Sequence, residues 1–220
     1  MIKTDLDVIN AACALVGHTP LETLEEETPG GSAIGLVYQE IVGFNFGMHP
    51  FSFGTILKEL TRLDANGEPL NTGYSYSHRL WNARRGAPLK VIRDPRNAND
   101  DFTDYLLIED ELHADEKQLW GIFKHSPPPL LWSSTFVTAT TLALASRLAM
   151  IFASDTRSMQ LWRTEAYGTP QERFRGGAMR VAINEDSFGT PPKKAQWSNN
   201  PLTNSWTGGR NSGDWQRGDE

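Results

Sequence analysis

Apolar residues near the start of the chain recur at helical spacing. Leu6, Val8, Ile9, Ala12, Cys13, Leu15 and Val16 form one stripe with polar positions between them. Thr4, followed three residues on by Asp7, reads as a capping box in which the shorter acid replaces Glu. Gly17 is placed to end that helix. A loop with Pro20, the acidic run Glu25-Glu26-Glu27 and Pro29-Gly30-Gly31 follows. Ser32 reads as the cap of a second helix, one that buries Ala33, Leu36, Val37, Ile41 and Phe44. After Pro50, the positions Phe53, Ile56, Leu57, Leu60 and Leu63 again fit the helical period, although the aromatic start suits an extended segment equally well.

From about Thr72 to Lys124 the period changes to two. Tyr74, Tyr76 and His78 alternate with small or polar residues in GYSYSHRLW, as in a half-buried strand. PLKVIRD, DYLLIEDELHAD and LWGIFKH are three further strand candidates. The turn formers of DPRNANDD between them predict antiparallel pairing. Ser126-Pro127-Pro128-Pro129 then stops the sheet. Two long helices follow, Trp132 to Ala153 and Arg157 to about Ala182, with Ser154 or Asp155 capping the second.

The chain changes character again at Ser187. Residues 187–220 are rich in Pro, Gly, Asn and Ser and lack any period that builds a core, so an extended tail is expected. The fold class that emerges is α+β. Residues 1–63 and 130–186 supply the helices of one bundle, and residues 72–125 insert a small antiparallel β region.

Composition narrows the class further. At 220 residues with 39% hydrophobic and 22% charged positions, the chain can build a core without staples. A single cysteine excludes an internal disulfide and Cys-rich metal sites, so synthesis in a reducing cytoplasm is the expectation. The first twenty residues lack the pattern of a secretory leader, since Asp5, Asp7 and Asn10 interrupt the apolar stretch. Phe136 to Ala153 is apolar but carries Thr, Ser and Arg147, which predicts a buried helix rather than a membrane span. A formal net charge of −6 argues against a surface built to coat DNA or lipid.

The search for chemistry is largely negative. Cys13 sits on an apolar stripe and reads as a small buried hydrophobe rather than a nucleophile. His18, His49, His78, His113 and His125 lack metal-ligand spacing, so no metal is expected. Gly30-Gly31-Ser32 has no closing Lys of a phosphate loop, and DPRNANDDFTD lacks the central Gly and terminal Glu of a calcium loop. Glu109 and Glu111 alternate along one strand, and with Asp104 they are the candidates for carboxylate chemistry; a charged edge explains them as well. Arg79, Arg84, Arg85, Lys90, Arg93 and Arg96 form a basic cluster, the footprint of an alternative role as a nucleic-acid-binding packaging accessory. No set of residues amounts to an active site, so the expectation is a protein that is not an enzyme and needs no cofactor.

The tail offers a different signal. Trp197, Trp206 and Trp215 stand nine residues apart. Tryptophan anchors interfaces more than most side chains do, so these three are candidate partner-binding residues, with Lys193, Lys194 and Arg210 adding contacts to an acidic surface. The competing reading is a solvated end whose tryptophans are incidental.

Several phrases in order carry a resemblance. Gly17, Pro20, Leu21 and Leu24 make a G-x-x-P-(apolar)-x-x-L loop; His49-Pro50-Phe51-Ser52-Phe53 makes an aromatic turn; Gly73-Tyr74-Ser75-Tyr76 precedes a strand; the Leu142 to Ala153 helix is followed by Asp155-Thr156 and a second helix. Over residues 5 to 182 the chain resembles the head-to-tail adaptor family of tailed phages, including the tail tubular protein A type. One phrase departs: relatives typically read Leu-Pro where this chain reads Leu80-Trp81. The resemblance implies a helical bundle with an inserted β region and no catalysis. It also implies a homo-oligomeric ring, commonly twelve-fold, that binds the portal and a tail or nozzle protein. Genomic DNA would pass through its lumen unbound, the location would be the virion neck, and no membrane would be involved.

Overall fold

The structure is a computed structural model and describes residues 4–23, 31–63, 70–97, 101–172 and 176–189. The chain divides into a body, Met1–Phe188, and a second unit, Gly189–Glu220, of which only Gly189 lies within the described residues. Helix α1 spans Asp5–Leu15 and begins as its pattern predicts. The Asp7 amide donates to Thr4 Oγ1 at 3.2 Å while the Thr4 amide donates to Asp7 Oδ2 at 3.0 Å. Gly17, at φ +73°, turns the chain out of the helix, and the amides of Gly17 and His18 close back on the carbonyls of Ala14 and Cys13. The outgoing loop is then hooked to the helix. Asn10 donates to the Leu21 carbonyl at 3.0 Å and accepts from its amide at 2.7 Å.

Helix α2 spans Gly31–Met48, so Ser32 lies inside it rather than capping it. Its buried face is Ile34, Tyr38, Ile41, Val42, Asn45 and Phe46. Of the expected face, Ile41 is buried and Val37 packs partly against the core, but Ala33, Leu36 and Phe44 point outward. The helix is apolar nearly all round, so its own pattern could not choose a face; its packing neighbours do. Tyr38 donates to Asp5 Oδ1 at 2.6 Å, tying α2 to the first turn of α1.

The segment after Pro50 is extended, which corrects the helical reading of residues 53–63. A 3₁₀ turn at Ser52–Gly54 leads into β1 (Thr55–Glu59) and β2 (Thr61–Arg62). The remaining strands are β3 (Tyr76–Arg79), β4 (Lys90–Ile92), β5 (Leu106–Ile108), β6 (Glu111–Ala114) and β7 (Trp120–Lys124). Two antiparallel sheets result, ordered β1-β7-β4 and β2-β3-β6-β5. Helical spacing in residues 53–63 lost because β1 finds a five-residue partner in β7, from Thr55 opposite Lys124 to Glu59 opposite Trp120. Leu60, between β1 and β2, turns into a core shared by both sheets with Leu80, Val91, Leu112, Leu119 and Phe123. The DYLLIEDELHAD phrase is a hairpin rather than one strand. It reverses at Glu109, whose φ of 51° is left-handed, so that Ile108 faces Glu111.

The prolines end the sheet as expected, and a 3₁₀ turn at Pro129–Leu131 leads to α3 (Ser134–Ala153), capped by Ser133. This helix is long and apolar enough to cross a membrane, with mean hydropathy 1.6. Here that apolar surface builds the core: Phe136, Ala139, Ala143, Leu144, Leu148 and Ala149 are buried against the other helices. Asp155, not Ser154, caps α4 (Thr156–Tyr167) through the amides of Arg157 and Ser158. The expected long second helix is in fact two. Gly168, at φ +88°, and Pro170 break it, and α5 (Gly177–Gly189) follows. The break is packed tightly, since a Cβ on Gly168 would lie 2.6 Å from the Gly176 Cα. Because α5 runs to Gly189, the expected tail loses Ser187, Phe188 and Gly189 to the helix; residues 190–220 lie outside the described residues.

The α+β class is therefore as expected: five α-helices and two small antiparallel sheets among the described residues. Truncating Phe46, fully buried among Phe51, Phe53, Trp132 and Phe136, should cost about 3–5 kcal/mol in urea denaturation. A loss below about 1 kcal/mol for Phe46→Ala would mean the cluster is not the core it looks like.

His78 makes a second prediction. It is fully buried on β3, its Nε2 pairs with the Glu116 carbonyl at 2.8 Å, and burial holds its pKa below 6.5. Between the folded value and 6.5 the unfolded chain binds more protons, so stability falls as pH drops below that point. His78→Gln should flatten the dependence of unfolding free energy between about pH 7.5 and about pH 5.5. An unchanged slope would assign the titration to another group.

Candidate partner-binding cleft

Three helices meet around a cleft of about 580 Å³, and each contributes residues at helical spacing. Helix α2 supplies Glu40, Ile41, Phe44 and Met48; α3 supplies Ala143, Ser146, Arg147 and Met150; α4 supplies Met159, Arg163 and Tyr167. Three of the chain's five methionines line it. Methionine is unbranched and polarizable, and such clusters suit surfaces that adapt to an incoming side chain. Phe44 is 59% exposed and Met150 42%, so much of this apolar surface is open.

Tyr167, which lines the cleft, begins a buried chain of hydrogen bonds. Tyr167 donates to Asn45 Oδ1 at 2.6 Å, and Asn45 donates onward to Thr140 Oγ1 at 3.0 Å. One chain of hydrogen bonds thus joins α4, α2 and α3, with Asn45 and Thr140 fully buried. Burial pushes the Tyr167 hydroxyl up to about 12, while the positive charges of Arg147 and Arg163 pull the other way. Phe44 meets the same ring edge-on at 5.8 Å.

The basic, acidic and cysteine candidates of the body lie away from this cleft. Trp197, Trp206, Trp215, Lys193, Lys194 and Arg210 are outside the described residues. The basic cluster is largely engaged within the fold. Arg84 pairs with Asp110, and Lys90 with Asp101 at 2.6 Å. Arg93 approaches Glu116 at 3.5 Å and lies over the Phe102 ring. Arg85 bonds Ser126 and lies across Gly43 of α2, where a Cβ would meet its Nη1 at 2.8 Å. Arg85 thus staples the β region to the helices rather than presenting charge to solvent. Arg79 borders a separate polar depression with Glu109, Asp110, Glu111 and His113. Glu109 and Glu111 do share that depression, but Glu109 is in the hairpin turn and Glu111 faces His113 at 3.7 Å. Asp104 lies apart from it and accepts from the Tyr74 hydroxyl.

Cys13 is fully buried, and burial raises its thiol pKa. The histidines are dispersed. His18 stacks on Phe152, His49 pairs with Asp186, and His125 meets Trp81 edge-on. Among the described residues no three His, Cys, Asp or Glu side chains are grouped to hold a metal. The Asp94 phrase is a turn, with the Arg96 amide donating to the Asp94 carboxylate at 2.9 Å.

The cleft itself was missed, because its lining comes from three segments more than a hundred residues apart at the extremes. No local pattern marks it, since each helix contributes only three or four of the lining residues. No protein-family model matches the chain, and no curated protein matches it.

Tyr167→Phe would leave Asn45 Oδ1 buried without its donor, at a cost of about 1–3 kcal/mol. Thermal unfolding of the variant should show this as a lowered midpoint; an unchanged midpoint would remove the network from the stabilising set.

Proposed function

We propose that this protein is a head-to-tail adaptor of a tailed-phage virion. Identical subunits, twelve by resemblance, form a ring that joins the portal to a tail or nozzle protein, and DNA passes through the bore. The protein performs no catalysis and needs no cofactor. It is made in the host cytoplasm and resides in the virion neck.

The observation that carries this reading is where the family-like phrases fall. Leu24 of the first phrase lies outside the described residues; the rest of each phrase coincides with a joint of the fold. Gly17, Pro20 and Leu21 close α1 and hook back onto Asn10. His49 to Phe53 joins α2 to β1, Gly73 to Tyr76 leads into β3, and Asp155-Thr156 links α3 to α4. Apolar exposure gives further support. Leu130 and Leu131 are 59% and 58% exposed and Phe188 90%, as subunit contacts would require. A ring joins each subunit head to tail through two different surfaces. The nucleic-acid-binding alternative has less support, because Arg84, Lys90 and Arg93 spend their charge on acidic neighbours. A net charge of −6 suits a bore that DNA must leave freely.

Light scattering and electron microscopy of the protein mixed with its portal test the reading. Rings capping portal are expected, and a protein that never joins portal in any buffer would defeat it. A chain ending at Gly189 keeps all of α5, including the Asp186 carboxylate that binds Ser52 and His49. Its circular dichroism should match the full chain, and its portal affinity should fall at least about tenfold, as expected when tryptophan anchors are lost. Equal affinity of the two chains would remove the tail from the interface.

A further inference from the structure

We propose that the cleft between α2, α3 and α4 receives the C-terminal segment Gly213–Glu220 of a second copy of the chain, with Trp215 as its anchor. The proposal rests on the ring reading above, in which neighbouring copies present different surfaces to one another. Two observations select the occupant. The first is chemical fit. An indole needs an apolar slot with adaptable walls, which Met48, Met150 and Met159 provide, and an aromatic edge, which Phe44 provides. Its N–H also needs an acceptor, which the Tyr167 and Ser146 hydroxyls of the lining can supply.

The second observation is charge. Arg147 and Arg163 border the cleft from α3 and α4, and Glu40 from α2. The three tryptophans of the tail differ in their flanks. Trp197 follows Lys193 and Lys194, and Trp206 is followed by Arg210, whereas Trp215 sits beside Asp214 with Asp219 and Glu220 just beyond. Only the last brings carboxylates to the two guanidiniums, and Arg217 in the same segment complements Glu40. A Lys-flanked tryptophan would meet the two arginines with repulsion. Reach permits the exchange. The 26 residues from Gly189 to Trp215 span at most about 85 Å at ~3.3 Å per residue, enough to cross to a neighbour.

The test uses the full chain and fluorescein-labelled peptides. A peptide of residues 209–220 should bind the full chain saturably in fluorescence anisotropy. Its Trp215→Ala version, and a peptide of residues 191–202 bearing Trp197, should bind at least about tenfold more weakly. The double variant Arg147→Glu, Arg163→Glu should lose at least about tenfold in affinity for the first peptide, with helical circular dichroism unchanged. Sedimentation velocity should show concentration-dependent self-association of the full chain, reduced in Trp215→Ala. Equal binding of all three peptides, or full binding by the double variant, would overturn the proposal. A full chain that stays monomeric and refuses the peptide would equally overturn it. None of these readouts needs portal. Rings on portal without peptide binding would sink the docking alone, and peptide binding without portal capture would sink the adaptor reading alone.

Discussion

The fold hangs on a cluster of aromatic rings centred on Phe46. Its centroid lies 4.8 Å from that of Phe136, 5.7 Å from Trp132 and about 6 Å from Phe51 and Phe53. These residues come from α2, the turn that follows it and the start of α3. The cluster therefore fixes two helices together across the entire β region inserted between them. Removing five large rings from water at one point supplies stabilisation of about 1.5–3 kcal/mol for each, against about 0.5–1.5 kcal/mol net for a typical hydrogen bond. It also sets a boundary condition: the inserted segment must leave and return at the same place. The pairing of β1 with β7, its first and last strands, is how the chain meets that condition.

Polar contacts then specify how the helices sit around the rings. Asp186 of α5 accepts from the Ser52 amide and hydroxyl and pairs with His49, and Thr135 bonds Glu185 from the neighbouring helix start. The end of α5 is thereby pinned beside the aromatic turn. Hydrogen bonds of this kind contribute little net energy each, but a wrong register would leave the buried carboxylate without its donors. Asn45 plays the same part inside the bundle, aligning α3 and α4 on α2.

The same helices that bury the rings leave the cleft open at their other faces. Helix α3 packs through alanines, which brings its neighbours close, and its outward Met150 and Arg147 then share a recess with α2 and α4. Core and cleft are two sides of one three-helix contact. A change that shifts α4, such as any bulk at Gly168, would be felt at both.

What could be read from the sequence is what neighbouring residues decide among themselves. The Thr4–Asp7 box, the exit at Gly17, the proline stop and the Asp155 cap each depend on hydrogen bonds or torsions within a few positions. The α+β class followed from them and from the change of period at residue 72. The burial of Cys13 followed from its stripe. The cleft was not legible, because it is assembled from α2, α3 and α4. Tertiary structure alone decided the rest. It made residues 55–62 strands because β7 and β3 were there to pair with them, and it turned α2 on its axis because α1 and α3 cover one side. It also paired Arg84, Lys90 and Arg93 with Asp110, Asp101 and Glu116. Each of these outcomes depends on a partner distant in the chain, and a local pattern carries no information about which partner will arrive.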